Sequence, residues 1–247
     1  MRTYGLLGKE LSHSFSKQHF TQKFEKENID AVYENFSLRG ISIFPQFIEN
    51  HQEIDGLSVT IPYKRSVIYF IDELDSEAEA IGAVNVVKIY KDSDRIRLKG
   101  YNTDVYGFET SLRPLLRSDI SKALVLGAGG AALAVAFVLK KLGIDYTFVS
   151  RNPQEGMINY SELTKETVSQ NKLIINASPL GTAGERYEND LLFPTQLLSE
   201  HHVCYDLVYN PEKTRFLAEA EQQSAVIKNG YEMLVLQAER AWAIWNE

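Results

Sequence analysis

Ala123-Leu-Val-Leu-Gly127-Ala-Gly129-Gly130-Ala-Ala132 decides how this chain folds. A short apolar run ends on a glycine, and two more glycines follow. Ala131 to Leu142 then continues with helical spacing, and Gly143 stands just past its end. Tyr146 to Ser150 reads as the next strand. Strand, tight turn, helix and strand make one βαβ unit, the start of a doubly wound domain. A glycine turn can merely join a strand to a helix. In this context, however, the G-x-G-x-x-A spacing of Gly127, Gly129 and Ala132 points to a dinucleotide. The first glycine permits the turn, the second lets backbone approach a pyrophosphate, and Ala132 allows close helix–sheet packing. The helix then aims free N–H groups at the phosphates. The candidate contacts are Gly127, Ala128, Gly129, Gly130 and Ala131.

The tip of the second strand selects the dinucleotide. An NAD site usually carries Asp or Glu there to accept from the ribose 2′-hydroxyl. This chain has Ser150-Arg151-Asn152, with no acid and with a guanidinium suited to a 2′-phosphate. NADP is therefore the expected cofactor. The competing reading makes Arg151 a solvated loop charge and leaves NAD as the alternative cofactor.

Composition bounds the rest. The 247 residues are 44% hydrophobic and 24% charged, which suits one large domain or two modest ones. A net charge of -7 argues against general affinity for nucleic acid or an anionic membrane. The single cysteine, Cys204, excludes an internal disulfide and fits a cytoplasmic location. Met1 to Lys9 has no apolar stretch long enough for a signal peptide. Ala123 to Leu139 is uncharged but shorter than the roughly 20 residues of a spanning helix, and its glycines break it. His201, His202 and Cys204 cluster without further ligands at matching spacing, so no metal site is expected.

Upstream, strand-like and helix-like stretches alternate from Thr3 to Tyr90, an α/β pattern. Thr3 to Leu7, Ala31 to Phe36, Gly56 to Thr60 and Gly82 to Tyr90 read as strands, Ile43 to Glu49 as a helix, and Asp72 to Glu79 as a solvated helix start. Val105 to Leu116 reads as a linking helix, Leu173 to Asn176 and Val203 to Val208 as later strands, and Thr214 to Gln223 and Tyr231 to Trp245 as closing helices. Pro62 ends its strand and places Thr60 and Lys64 at a rim, where loops carry function. Asp104, before an apolar run, has helix capping as its ordinary role.

Eight pieces in order carry a resemblance. They are His13-Ser14-x-Ser16, Val59-Thr60-x-Pro62-x-Lys64, Gly82-Ala-Val-Asn85, Asn102-Thr103-Asp104-x-x-Gly107, Gly127-Ala-Gly-Gly-Ala131, Asn176-Ala-Ser-Pro-Leu-Gly181, Asp206-Leu-Val-Tyr209-x-Pro211 and Gly230-x-x-Met-Leu-x-x-Gln237-Ala238. From Gly5 nearly to Trp245 the chain resembles the shikimate dehydrogenase family.

The resemblance implies reversible, NADPH-linked reduction of 3-dehydroshikimate to shikimate, a step toward chorismate and the aromatic amino acids. It implies an N-terminal α/β substrate domain, residues 1–104 completed by 228–247, and a Rossmann-like domain over 105–227. Ser14 and Ser16 would hold the substrate carboxylate, which agrees with hydroxyls at a helix N-terminus. Thr60, Lys64, Asn85, Asp104 and Gln237 would bind the ring hydroxyls with Tyr209 nearby, and Asn176 and Gly230 would line the nicotinamide end. Hydride delivered to a ketone leaves charge on oxygen, and a protonated Lys64 supplies both proton and positive charge. Asp104 would favour that charged amine, so Lys64 and Asp104 are the catalytic candidates.

Some positions depart from the family pattern: Lys17 follows the second serine, Ser58 precedes Val59, and Val86 follows Asn85. The family's NADP-preferring members show Asn-Arg-Thr with a second arginine soon after, whereas here Ser150-Arg151-Asn152 is followed by Pro153, Gln154 and Glu155. A small-molecule substrate is expected, with neither nucleic acid nor membrane as partner and a monomer or homodimer as the assembly. Two other functions compete: a relative using quinate and NAD, and a non-catalytic sensor of shikimate or quinate.

Overall fold

The protein is described here by a computed structural model covering residues 1–11, 15–91, 95–184 and 188–247. The chain divides into two compact units, residues 1–103 with 238–247, and residues 104–237.

The first unit is a mixed six-stranded sheet. β1 (Arg2–Gly8), β2 (Ala31–Ser37) and β3 (Ile54–Val59) are parallel, linked through α1 (Phe15–Glu27) and α2 (Phe44–Asn50). A two-residue strand, β4 (Glu73–Leu74), precedes α3 (Ser76–Ile81). β5 (Val86–Lys91) runs antiparallel to β3, and β6 (Ile96–Tyr101) antiparallel to β5, giving the order β2-β1-β3-β5-β6-β4. Side chains alternate across each strand. One face buries Leu7, Leu57, Val59 and Val87 with Phe44 and Val67, and the other buries Tyr4, Leu6 and Tyr33 under Phe20 and Phe24 of α1.

The last residues of the chain complete that second face. Ala241, Ile244 and Trp245 are buried there, and Trp245 stacks on Tyr4 at 5.0 Å between ring centroids. The Trp245 indole N–H donates to the Val87 carbonyl at 3.1 Å, which satisfies its polar edge inside the core. Gly56 makes room for the ring: a Cβ there would lie 2.4 Å from the indole.

Several boundaries depart from the sequence expectation. Gly82, at φ +69, ends α3 in the left-handed region, so the strand expected from Gly82 begins only at Val86. Asp75 caps α3 by accepting from the Ala78 N–H at 2.8 Å, so Glu73 and Leu74 before it are free to pair as a strand instead of starting the expected helix. β6 went unread, although Ile96-Arg-Leu-Lys alternates apolar with charged.

The second unit opens with α4 (Asp104–Leu112). This linking helix stops at Leu112, short of the expected Leu116, because Pro114 enters a 3-10 turn over Arg113–Leu115. β7 (Lys122–Leu126), α5 (Gly130–Lys141), β8 (Asp145–Val149), α6 (Lys165–Gln170), β9 (Leu173–Asn176), β10 (Val203–Asp206), α7 (Arg215–Gln222) and β11 (Val226–Lys228) follow. The sheet is parallel throughout, in the order β11-β10-β9-β7-β8, and its three central strands β7, β9 and β10 are almost wholly buried, as a doubly covered sheet requires. α8 (Tyr231–Asn246) contributes residues up to Gln237 to this unit. Gly107 lets α4 approach it closely, since a Cβ there would lie 2.5 Å from the Met233 carbonyl oxygen.

Candidate active site

In the first unit the candidate residues gather at one end of the sheet. Thr60 follows β3, and its N–H donates to the Leu7 carbonyl at 2.9 Å. The Tyr63 N–H donates back to the Thr60 carbonyl at 2.9 Å, closing a turn across the cis Ile61–Pro62 bond. The Tyr63 hydroxyl is buried and donates to the Leu38 carbonyl at 2.7 Å. Lys64 comes next, half-buried, and its carbonyl accepts from the Val84 N–H at 2.7 Å. The lysine backbone is thus fixed to the residue before Asn85.

Asn85 is buried and its side chain is engaged. Its Oδ1 accepts from the Thr103 N–H at 2.7 Å, and its Nδ2 donates to the Thr103 hydroxyl at 3.0 Å. Its backbone carbonyl accepts from Val59 N–H at 2.7 Å. Asn102 is held in turn by donation of its Nδ2 to the Ala83 carbonyl at 2.9 Å. One frame of hydrogen bonds therefore aligns Lys64, Asn85 and Thr103. Sequence reading gave Thr103 no role, and its pairing with Asn85 has no signature at a separation of 18 residues.

Ser16 sits in the first turn of α1, while Ser14 lies outside the described residues. Beside Ser16 the structure adds Tyr33 of β2, which sequence reading missed. The Tyr33 hydroxyl is buried and makes no hydrogen bond of full geometry among the described residues. Burial pushes its pKa up, while the hydroxyls of Ser58 and Ser16 face it and pull the other way. Ser58 is one of the positions noted above as departing from the family pattern, and its hydroxyl stands with those of Ser16 and Tyr33. Tyr33 was unreadable because a tyrosine in an alternating strand is ordinarily core.

In the second unit, Asp104 is the buried first residue of α4, where a helix N-terminus favours a carboxylate. Gln237 of α8 packs its Cβ 3.2 Å from where a Cβ on Gly107 would stand, one turn beyond Asp104. Gly127 adopts φ +104, and a Cβ on it would meet the Ala177 carbonyl oxygen at 3.2 Å. Gly129 begins α5 without a side-chain cap, and a Cβ there would meet nothing within 4 Å. Uncapped N–H groups beside open space fit a pyrophosphate.

Ser150 and Arg151 follow β8 as expected. The Ser150 N–H donates to the Ile158 carbonyl at 2.9 Å, and Asn159 Nδ2 donates to the Arg151 carbonyl at 3.1 Å. These bonds close an exposed loop that contains Glu155. The Tyr160 hydroxyl is pushed up to about 12 by burial, with the Arg151 charge pulling down.

Asn176 turns the chain after β9. Its Oδ1 accepts from the Ser178 N–H and hydroxyl at 3.1 and 2.7 Å, and its Nδ2 donates to the Leu180 carbonyl at 3.1 Å. Tyr209 lies beyond β10, and burial raises its hydroxyl pKa. Gly230 donates its N–H to the Val208 carbonyl at 3.1 Å, and a Cβ there would lie 2.1 Å from the Leu207 carbonyl oxygen. His202 uses both ring nitrogens structurally. Nδ1 accepts from the Ser199 N–H at 3.0 Å, which leaves Nε2–H to donate to the Val168 carbonyl at 3.1 Å. No helix among the described residues is long and apolar enough to cross a membrane.

Residues 6–87 match the shikimate dehydrogenase substrate binding domain family. A shikimate dehydrogenase (NADP(+)) of Clostridium botulinum is 34% identical over 256 residues, covering 99% of this chain and 96% of that protein. One from Chlorobaculum tepidum is 35% identical over 270 residues, covering 99% and 90%. Among solved structures, the shikimate 5-dehydrogenase of Thermus thermophilus in complex with NADP(H) and shikimate superposes with a TM-score of 0.85. It is 30% identical, and the match covers 99% of this chain and 93% of that one.

Proposed function

The chain belongs to the shikimate dehydrogenase family, and on that premise we propose how its residues carry out NADP-linked interconversion of 3-dehydroshikimate and shikimate. It is an oxidoreductase of that family with NADP as its dinucleotide. We assign residues 1–104, with the C-terminal helix, to the substrate and residues 105–227 to the dinucleotide.

The assignment rests on the shared frame of Lys64, Asn85 and Thr103, in which the lysine backbone is tied to Val84 and the amide to Thr103. Lys64 holds a proton at Nζ and gives it to the oxygen that was the ketone. On oxidation the same amine takes the proton back. Asp104 is assigned as the second catalytic residue of that step. Thr60, Asn85, Tyr209 and Gln237 orient the ring hydroxyls. Ser14, Ser16 and Tyr33 receive the carboxylate, for which a buried phenol with no hydrogen bond of full geometry is a ready donor. Gly127 to Ala131 hold the pyrophosphate, Ser150 and Arg151 the 2′-phosphate, and Asn176 and Gly230 the nicotinamide end. When bound, the dinucleotide supplies or accepts the hydride. We place this chemistry in the cytoplasm.

The test is a grid of purified protein with shikimate or quinate and NADP or NAD, following reduced nicotinamide. A dominant shikimate–NADP rate is expected. Comparable rates with NAD mean that the loop holding Glu155 has relaxed the cofactor choice, and a dominant quinate rate moves the substrate. Folded protein that binds shikimate but turns over nothing refutes the enzyme reading.

A further inference from the structure

The carboxylate of Asp206, at the end of β10, joins three separate segments. Its Oδ1 accepts from the Asn176 side-chain amide and from the Val208 N–H, both at 2.9 Å. Its Oδ2 accepts from the Thr214 hydroxyl at 2.6 Å. Thr214 caps α7 by accepting from the Leu217 N–H at 3.3 Å. The consequences reach further through neighbours. Asn176 shapes the turn to Leu180, and its carbonyl accepts from the Leu207 N–H at 2.9 Å. The Val208 peptide is held on its other side by the Gly230 N–H at 3.1 Å. Asp206 itself is fully buried, so no solvent competes for these bonds.

We propose that Asp206 is a positioning residue: its carboxylate fixes the Asn176 turn and the Leu207–Tyr209 segment, and so sets the backbone that meets the nicotinamide half of the dinucleotide. This rests on the reading above that Asn176 and Gly230 line the nicotinamide end. Two carboxylate oxygens satisfy three donors, and an amide of the same shape cannot. Asparagine must turn its NH2 toward one of those donors, which loosens at least one of the segments. The phosphate loop Gly127–Ala131 and Arg151 make no bond to Asp206, so the adenosine end is left as it was.

The experiment compares two probes on the whole chain by calorimetric titration at about pH 8, where Asp206 is the ionised carboxylate: NADP+, and adenosine 2′,5′-bisphosphate, which lacks the nicotinamide half. In Asp206→Asn the dissociation constant for NADP+ is expected to rise at least about fivefold, with the bisphosphate constant moving less than about twofold. Thr214→Val removes one donor at nearly the same shape, and the same pattern is expected at about two- to threefold. It carries the test if the asparagine variant does not fold. Equal weakening of both probes makes Asp206 a general structural residue and overturns the proposal, as does unchanged NADP+ binding. Failure of the unaltered protein to bind either probe overturns the dinucleotide reading itself, and the proposal with it.

Discussion

Replacing Asp206 with asparagine should change how stability depends on pH, and the size follows from the structure. Burial raises the Asp206 carboxyl from 3.8 to about 7, against the opposing pull of bonds from Thr214, Val208 and Asn176. The folded state therefore binds a proton at pH values where the unfolded chain has released it. Such a group adds stability below its unfolded pKa, and that stability is lost as pH rises through about 7. Between about pH 8 and about pH 5.5 the wild-type chain should gain about 2 kcal/mol from this group alone. Asparagine has no such titration. Urea denaturation followed by far-ultraviolet circular dichroism at both pH values gives the double difference, in which the other carboxylates and histidines cancel. The difference should favour wild type by about 2 kcal/mol more at the lower pH. Parallel profiles, agreeing within about 0.5 kcal/mol, would mean that burial does not raise the Asp206 carboxyl toward 7 and would refute the reasoning.

Four further outcomes are expected. Lys64→Ala should lower kcat by about 100- to 10,000-fold while the shikimate dissociation constant moves only a few-fold; lost affinity with turnover kept would make Lys64 a binding group. Arg151→Ala should reduce the preference for NADP over NAD by about 10- to 100-fold in kcat/KM, and an unchanged ratio would return Arg151 to the solvent. Tyr33→Phe removes a buried hydroxyl that makes no hydrogen bond of full geometry, so the melting temperature should hold or rise while KM for shikimate rises about tenfold; an unchanged KM would leave the phenol outside the site. Gly56→Ala drives a methyl to 2.4 Å from the Trp245 ring and should cost about 1–3 kcal/mol in thermal unfolding followed by tryptophan fluorescence. An unaltered melting temperature there would mean that the C-terminal helix yields freely.

The sequence by itself determined the parts of this protein that are local. Gly127, Gly129 and Ala132 between an apolar run and a small-residue helix define a phosphate loop because turn, approach and packing are properties of adjacent residues. Pro62 placed Thr60 and Lys64 at a strand end, and the motif order carried the family. What depends on residues far apart in the chain was decided only by the tertiary structure. Tyr33 reads as core until β2 beside β1 brings its hydroxyl to Ser16 and Ser58. Thr103 reads as a helix-start residue until the Asn85 amide claims it. Asp206 lies in a motif that carried the resemblance, yet its work appears only when β9 and β10 pair and Asn176 swings under its carboxylate. A buried polar group is defined by what it meets, and hydrogen bonds reach about 3 Å through space without regard to sequence separation.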